Sequence, residues 1–303
     1  TFGQPPVTLY HHERFYIEAL FWLSSTTSIH QHAFAGAFSV LAGSSVQARY
    51  NFQPRTDIER RLRFGDVSLR DVKILRAGDT ETIDLDGALI HSVFHLEHPS
   101  VTIVVRTGTK LTAEPQYAYY PPAVAFDVLD NCPLTMRRLQ LLQLLRETKS
   151  NDYEAIVRKG VTTWSPYCAF RVLEWEARLG ETPALFDELL DLACAQHGCE
   201  FAHLREVFAR RRRELIVHSR RALVSEPDLR FFLALLLVLP DRESVFAAIA
   251  AEYPDVEPRT RVLDWARRLS STDVIGIELD ELNTILFECL LDGADFATAV
   301  GRL

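Results

Sequence analysis

With 303 residues, the chain has room for one large domain or two ordinary ones. Its 48% hydrophobic and 24% charged residues are the balance of a globular protein, and its net charge of −8 argues against a general nucleic-acid binder, whose binding face is basic. The longest apolar run, residues 231–239, falls well short of the roughly 18 to 20 residues of a membrane span, so neither nucleic acid nor membrane is an expected partner.

Residues 7–127 read as strands. Residues 16–23 are aromatic and apolar. Residues 38–41 follow, and 45–52 alternate apolar with polar side chains, the two-residue period of a sheet surface. Residues 67–75, 88–96, 101–106 and 117–120 continue the pattern. Turn signals at Ala42-Gly43-Ser44, Gly78-Asp79 and Asp86-Gly87 separate the runs. Many short strands with regular turns predict a sandwich or barrel.

Beyond Asp130 the period becomes helical. Pro133 opens a helix through Leu139, Leu142 and Leu145. Further helices are predicted near 152–160, 168–179, 183–196, 199–222, 227–238, 242–252, 258–269 and 278–291, with Pro227 and Pro258 at helix starts. The predicted organisation is α+β, a β domain over residues 1–130 and an α-helical domain over 131–303. The apolar run at 231–239 reads as helix core. Arg210, Arg211, Arg212 and Arg213 cover all faces of a helix rather than one stripe, and read as solvated or paired with Glu206 and Glu214. The five cysteines are odd in number and sparse, which suits a reducing cytoplasm and no disulfide framework. Cys194 and Cys199 lack a second pair at zinc-finger spacing and read as thiols at a helix end. No signal peptide is recognisable, and the start at Thr1 without Met leaves a removed leader open.

The chemistry concentrates in His30-Gln31-His32. Residues i and i+2 of a strand share a face, so two imidazoles here project into one space. Imidazole is the commonest protein metal ligand and suits zinc, copper, iron and nickel. A second group lies further on, at His91, His95 and His98.

A ligand pair on one strand with a single ligand on a later strand resembles the cupin superfamily. Its first motif has HxH, an acidic ligand after three or four residues, then a glycine six residues beyond. Here His32 is followed by Ala33-Phe34-Ala35, Gly36, and Gly43 after six more residues, so Gly36 stands where the acid is usual. In the second motif Gly87 precedes His91 by four positions, and His95 replaces an Asn. Loss of the acid resembles the three-histidine thiol dioxygenases of the cysteine dioxygenase type. Trp22, the run Ser28-Ile29-His30-Gln31-His32, and the segments His91-Ser92-Val93 and His98-Pro99-Ser100-Val101 are similar to that family's. The likeness covers roughly residues 15–106. It departs where the family carries a Ser, His and Tyr series, since Thr102, Val104 and Arg106 occupy those positions here. The arginine that grips the substrate carboxylate would fall near Pro5, without a match; Arg14 or Arg106 is the available replacement. The crosslinking cysteine is also unmatched, with only Gly36 and Ala37 in the region. The helical half has no counterpart.

The resemblance implies a cupin-like β-barrel, a double-stranded β-helix, with His30, His32 and His91 holding a metal. It implies Fe(II), with Zn or Mn as the alternatives that three histidines also accept. The leading expectation is a non-haem dioxygenase acting on a small molecule and O2, with the helical half shaping the pocket. His95, His98, Gln31 and Glu18 are candidates to orient the imidazoles or line the site. Tyr117, Tyr119 and Tyr120 are candidate proton donors, and Arg106 a substrate contact. The alternatives are a ligand-sensing or partner-binding cupin without catalysis, and a Zn or Mn isomerase or hydrolase.

Overall fold

A computed structural model describes residues 6–23, 27–84, 89–108, 115–129, 132–180, 183–272, 274, 276 and 278–301. Ten strands occupy the first part: β1 (Pro6–His11), β2 (Phe15–Trp22), β3 (Gly36–Ala42), β4 (Ser45–Glu59), β5 (Leu62–Leu75), β6 (Thr80–Ile83), β7 (Ile90–His95), β8 (Ser100–Thr107), β9 (Tyr117–Tyr120) and β10 (Val124–Asp127). They form two five-stranded antiparallel sheets, ordered β1-β2-β8-β3-β6 and β7-β4-β5-β10-β9. The antiparallel sheets expected of the β half are present, and among the described residues no strand of one sheet pairs along its length with the other, so no closed barrel is seen. The segment between β2 and β3 bridges only singly, His30 to His91 and His30 to Ala118, before Ala33-Phe34-Ala35-Gly36 turns the chain away.

The alternating run at 45–52 belongs to a longer hairpin than its sequence predicts. β4 and β5 pair from Ser45↔Leu75 out to Glu59↔Leu62. Pro54 and the charged side chains beyond it disguise this extension, and register shifts near Pro54 accommodate them. Gly43 and Gly78 take positive φ values of 79° and 97°, as their turns require. The expected turn at Asp86-Gly87 lies outside the described residues.

Helices follow: α1 (Pro133–Glu147), α2 (Tyr153–Thr163), α3 (Pro166–Leu179), α4 (Pro183–His197), α5 (Leu204–Arg220), α6 (Pro227–Val238), α7 (Arg242–Glu252), α8 (Pro258–Ser270), α9 (Glu281–Leu291) and the short α10 (Phe296–Val300). Proline in the first turn starts α1, α3, α6 and α8, where its missing N–H costs no helical hydrogen bond. The predicted helix over 199–222 is divided. A 3-10 turn at Cys199–His203 precedes α5, and another at Arg221–Leu223 follows it. None of the described helices is long and apolar enough to cross a membrane.

The helices cover one face of the second sheet. Leu62, Phe64, Val124 and Phe126 share a core with Val157, Phe170, Leu173 and Phe201. Val46, Phe94 and Leu96 share another with Leu233, Leu235 and Trp265. Full burial of one such side chain stabilises by about 1.5–3 kcal/mol. The strand and helical parts therefore share hydrophobic cores. The sequence boundary at 130/131 lies outside the described residues. Arg230 of α6 ties the parts polar to polar. Its guanidinium is fully buried and donates to the His95 carbonyl at 3.0 Å and 2.6 Å, and to the Val224 and Arg221 carbonyls.

Alternation gives the second sheet two characters. Val46, Ala48, Phe94 and Ile90 face hydrophobic cores. Ser45, Gln47, His91 and His95 occupy the intervening positions, and all four are buried. This polar face and the first sheet enclose the candidate site.

Candidate metal centre

Backbone hydrogen bonds fix the ligand segment before any side chain acts. His30 and His91 exchange N–H···O bonds of 2.9 Å in both directions. On the other side, Gln31 N–H donates to the Tyr117 carbonyl at 3.0 Å and Tyr119 N–H to the Ile29 carbonyl at 2.9 Å. The segment is thus held between β7 and β9. His30 and His32 project to the same side, where His91 meets them.

One ligand nitrogen from each of His30, His32 and His91 lies within 4.8 Å of the others, and all three residues are buried. Among the described residues no carboxylate or thiol joins this group. His32 Nε2 and His91 Nε2 are 3.0 Å apart. Burial depresses all three imidazole pKa values, His32 to about 2 with help from His30 and Arg106. Neutral imidazoles are what a metal requires.

The tautomers can be followed outward. His30 Nδ1–H donates to the Ser28 carbonyl at 2.8 Å, leaving its Nε2 lone pair free. The Gln47 side-chain amide lies 3.0 Å from His91 Nδ1. With the amide N–H donating, His91 protonates Nε2 and can donate to His32. With the amide carbonyl accepting Nδ1–H, the Nε2 lone pairs of His91 and His32 face each other. Two bare lone pairs at that distance repel, and a cation between them removes the repulsion. A bound cation therefore selects the second arrangement. At 3.0 Å apart, the two nitrogens are close enough for one cation to contact both.

Gly36 explains the lack of an acid. A Cβ there would lie 2.1 Å from the Val105 carbonyl oxygen on β8 and 3.0 Å from Arg106 Cα. The close approach of β3 to β8 leaves no space for any side chain.

The histidines line a cavity of about 190 Å³ between the two sheets. Its wall is mainly apolar, with Leu20, Phe34, Phe38 and Val104. All its described lining residues fall between Pro6 and Arg106, so the helical half does not shape it as expected. Three other sequence candidates reach it: Glu18, His95 and Arg106. Arg106 donates to Glu18 at 2.8 Å and lies over the Tyr16 and Phe34 rings. His95 stacks on Trp22 with ring centroids 4.5 Å apart, and its Nδ1 is 2.8 Å from the Ser45 hydroxyl. Its Nε2 is buried without a hydrogen-bond partner. Trp22 donates to the Thr102 hydroxyl at 2.9 Å, which occupies Thr102 with a structural bond.

The remaining candidates lie elsewhere. Tyr117 donates to the Arg60 carbonyl, and Tyr119 to the Gln31 side-chain oxygen. Both tyrosines join a cluster with Ala48, Tyr50 and Ile90, so strand alternation turns them from the His91 face. Gln31 also donates to the Pro115 carbonyl at 3.0 Å. Tyr120 donates to Glu174 at 2.8 Å on α3. His98 is exposed and does not line the cavity. Sequence reasoning missed Gln47 and Ser45; their signal was polar residues at alternate positions of a strand expected to be half-buried.

No protein-family model matches the chain, and no curated protein matches it. Solved structures with a similar part include a cupin-2 domain containing protein from Shewanella frigidimarina, 13% identical over 35% of this chain and 82% of that one, TM-score 0.24. KdgF from Halomonas sp. is 12% identical over 36% and 89%, TM-score 0.26. Hydroquinone 1,2-dioxygenase from Sphingomonas sp. TTNP3 is 11% identical over 37% and 70%, TM-score 0.26.

Proposed function

We propose that the chain is a non-haem metal-dependent dioxygenase, with Fe(II) held by His30, His32 and His91. The observation that carries this reading is the convergence of three buried, neutral imidazoles, without a carboxylate, on the wall of an apolar cavity. When bound, Fe(II) held by the three imidazoles would supply Lewis acidity and O2 activation.

The chain's own residues do the rest. Ser28 and Gln47 set the tautomers of His30 and His91. Leu20, Phe34, Phe38 and Val104 exclude water and favour an apolar substrate body. Arg106, neutralised by Glu18, offers a charged edge to a substrate headgroup. The similarity of residues 15–106 to thiol dioxygenases supports O2 chemistry, whereas Thr102 and Val104 deprive the chain of that family's Ser and His. Thiols, amines and carboxylates are all suitable first probes.

The test is oxygen consumption by Fe(II)-loaded protein with cysteamine, small primary amines and small carboxylates. Uptake dependent on iron and on one probe is expected. Product formation that proceeds equally without O2 would overturn the dioxygenase reading in favour of Zn- or Mn-type chemistry.

A further inference from the structure

A second cavity, of about 460 Å³, lies on the other side of the His30 segment. Thr27, Ser28, Gln116 and Leu129 form one wall, and Arg211, His218 and Arg221 the other. Thr27 and His30 also line the metal cavity, so this short segment separates the two spaces. The volume lies within the roughly 300–1,000 Å³ typical of small-ligand sites.

Its charge is unbalanced. No Asp or Glu is among its described lining residues. Arg221 Nε is buried without a hydrogen-bond partner, and no carboxylate among the described residues offsets its charge. Arg211 is engaged at its rear: it reaches Glu214 at 3.3 Å and lies over the Tyr120 ring. Glu214 also binds Arg210 at 3.0 Å and does not line this cavity. Arg221 is half-buried, and a guanidinium drawn partly out of water gains from a counter-charge. Around the cavity stand further donors that suit an oxyanion: the Ser28 and Thr27 hydroxyls, the His218 ring and the buried Gln116 side chain.

We propose that this cavity binds a small molecule through a carboxylate or phosphate group, with Arg221 as the principal charge partner and Arg211 and His218 beside it. The proposal does not rest on the metal reading: His30 lines the cavity, but Arg211, His218 and Arg221, which carry the charge, are outside the histidine cluster.

The test is calorimetric titration of the full chain with inorganic phosphate and, separately, with malonate, at constant ionic strength. Saturable binding of at least one probe is expected, and the preferred probe distinguishes phosphate from carboxylate recognition. Arg221→Gln removes a charge-assisted contact and should weaken binding about tenfold or more. Its backbone carbonyl, which accepts from Arg230, remains. His218→Gln provides a second variant, and thermal melts confirm that each is folded. The exposed Arg213, which does not line the cavity, serves as control: Arg213→Gln should leave the affinity unchanged. The proposal is overturned if neither probe saturates, if Arg221→Gln and His218→Gln both bind as the parent does, or if Arg213→Gln weakens binding equally.

Discussion

His32 Nε2 and His91 Nε2 stand 3.0 Å apart, although one belongs to the segment after β2 and the other to β7. The paired backbone bonds between His30 and His91 set this meeting, and a cation would satisfy both lone pairs. The side chain behind His91 then decides how well the site works. Gln47→Leu removes the group that can accept Nδ1–H while keeping an apolar volume of similar size. Loss of a hydrogen bond to a ligating imidazole typically lowers metal affinity about 10–100-fold. Competition titration against a chelator of known affinity should show that loss, with little change in the far-ultraviolet circular dichroism.

Gly36→Glu tests whether the missing acid is a vacancy that substitution can fill. The steric answer is that it cannot be filled, since a Cβ would collide with the Val105 carbonyl. The variant should gain no metal affinity and should lose about 1–3 kcal/mol of stability through displacement of β8. Denaturant unfolding measures the cost. Tighter metal binding with unchanged stability would contradict the account.

Both outcomes bear on what the sequence made legible. The alternation of β4 and the HxH spacing revealed the sheet and its histidine pair, because a two-residue period survives in any strand. The convergence of His91 on that pair came from the family likeness, since periodicity does not relate distant strands. Gln47 was hidden because a buried glutamine looks like any polar residue until its neighbour is known. Tyr117 and Tyr119 looked suitable as proton donors, but a one-residue register difference sends a strand side chain to the opposite face. Gly36 was visible as a departure from the motif, and only the approach of β8 supplied its physical reason.

His95 gives the molecule an acid sensitivity. Burial, then Arg230 and His98, lower its pKa from 6.5 to about 3. In the unfolded chain it takes up a proton below about pH 6.5, whereas the folded chain resists, so stability falls as pH drops from there towards 3. His95 alone contributes at most one proton to this slope, about 1.4 kcal/mol per pH unit, beside the buried His30, His32, His91 and His218. Metal-free His95→Gln should show a shallower decline between pH 6.5 and 4.5 in urea unfolding. An unchanged slope would show that His95 already charges in the folded state.

Glu18→Gln separates neutralisation from packing at the cavity edge. The pair with Arg106 is largely shielded, with side-chain exposures of 13% and 23%. Removing the carboxylate leaves the guanidinium uncompensated beside His32, which should cost about 1–3 kcal/mol and weaken divalent-cation binding. Glu18→Gln with Arg106→Met should recover much of both losses, as measured by thermal melts and metal titration.

The most direct test is the metal content of chain purified without chelator and loaded anaerobically with Fe(II), measured by plasma mass spectrometry beside His32→Ala. The account predicts equimolar iron that survives gel filtration in the parent and is lost in the variant. Equal retention by both, or none by the folded parent, would contradict it.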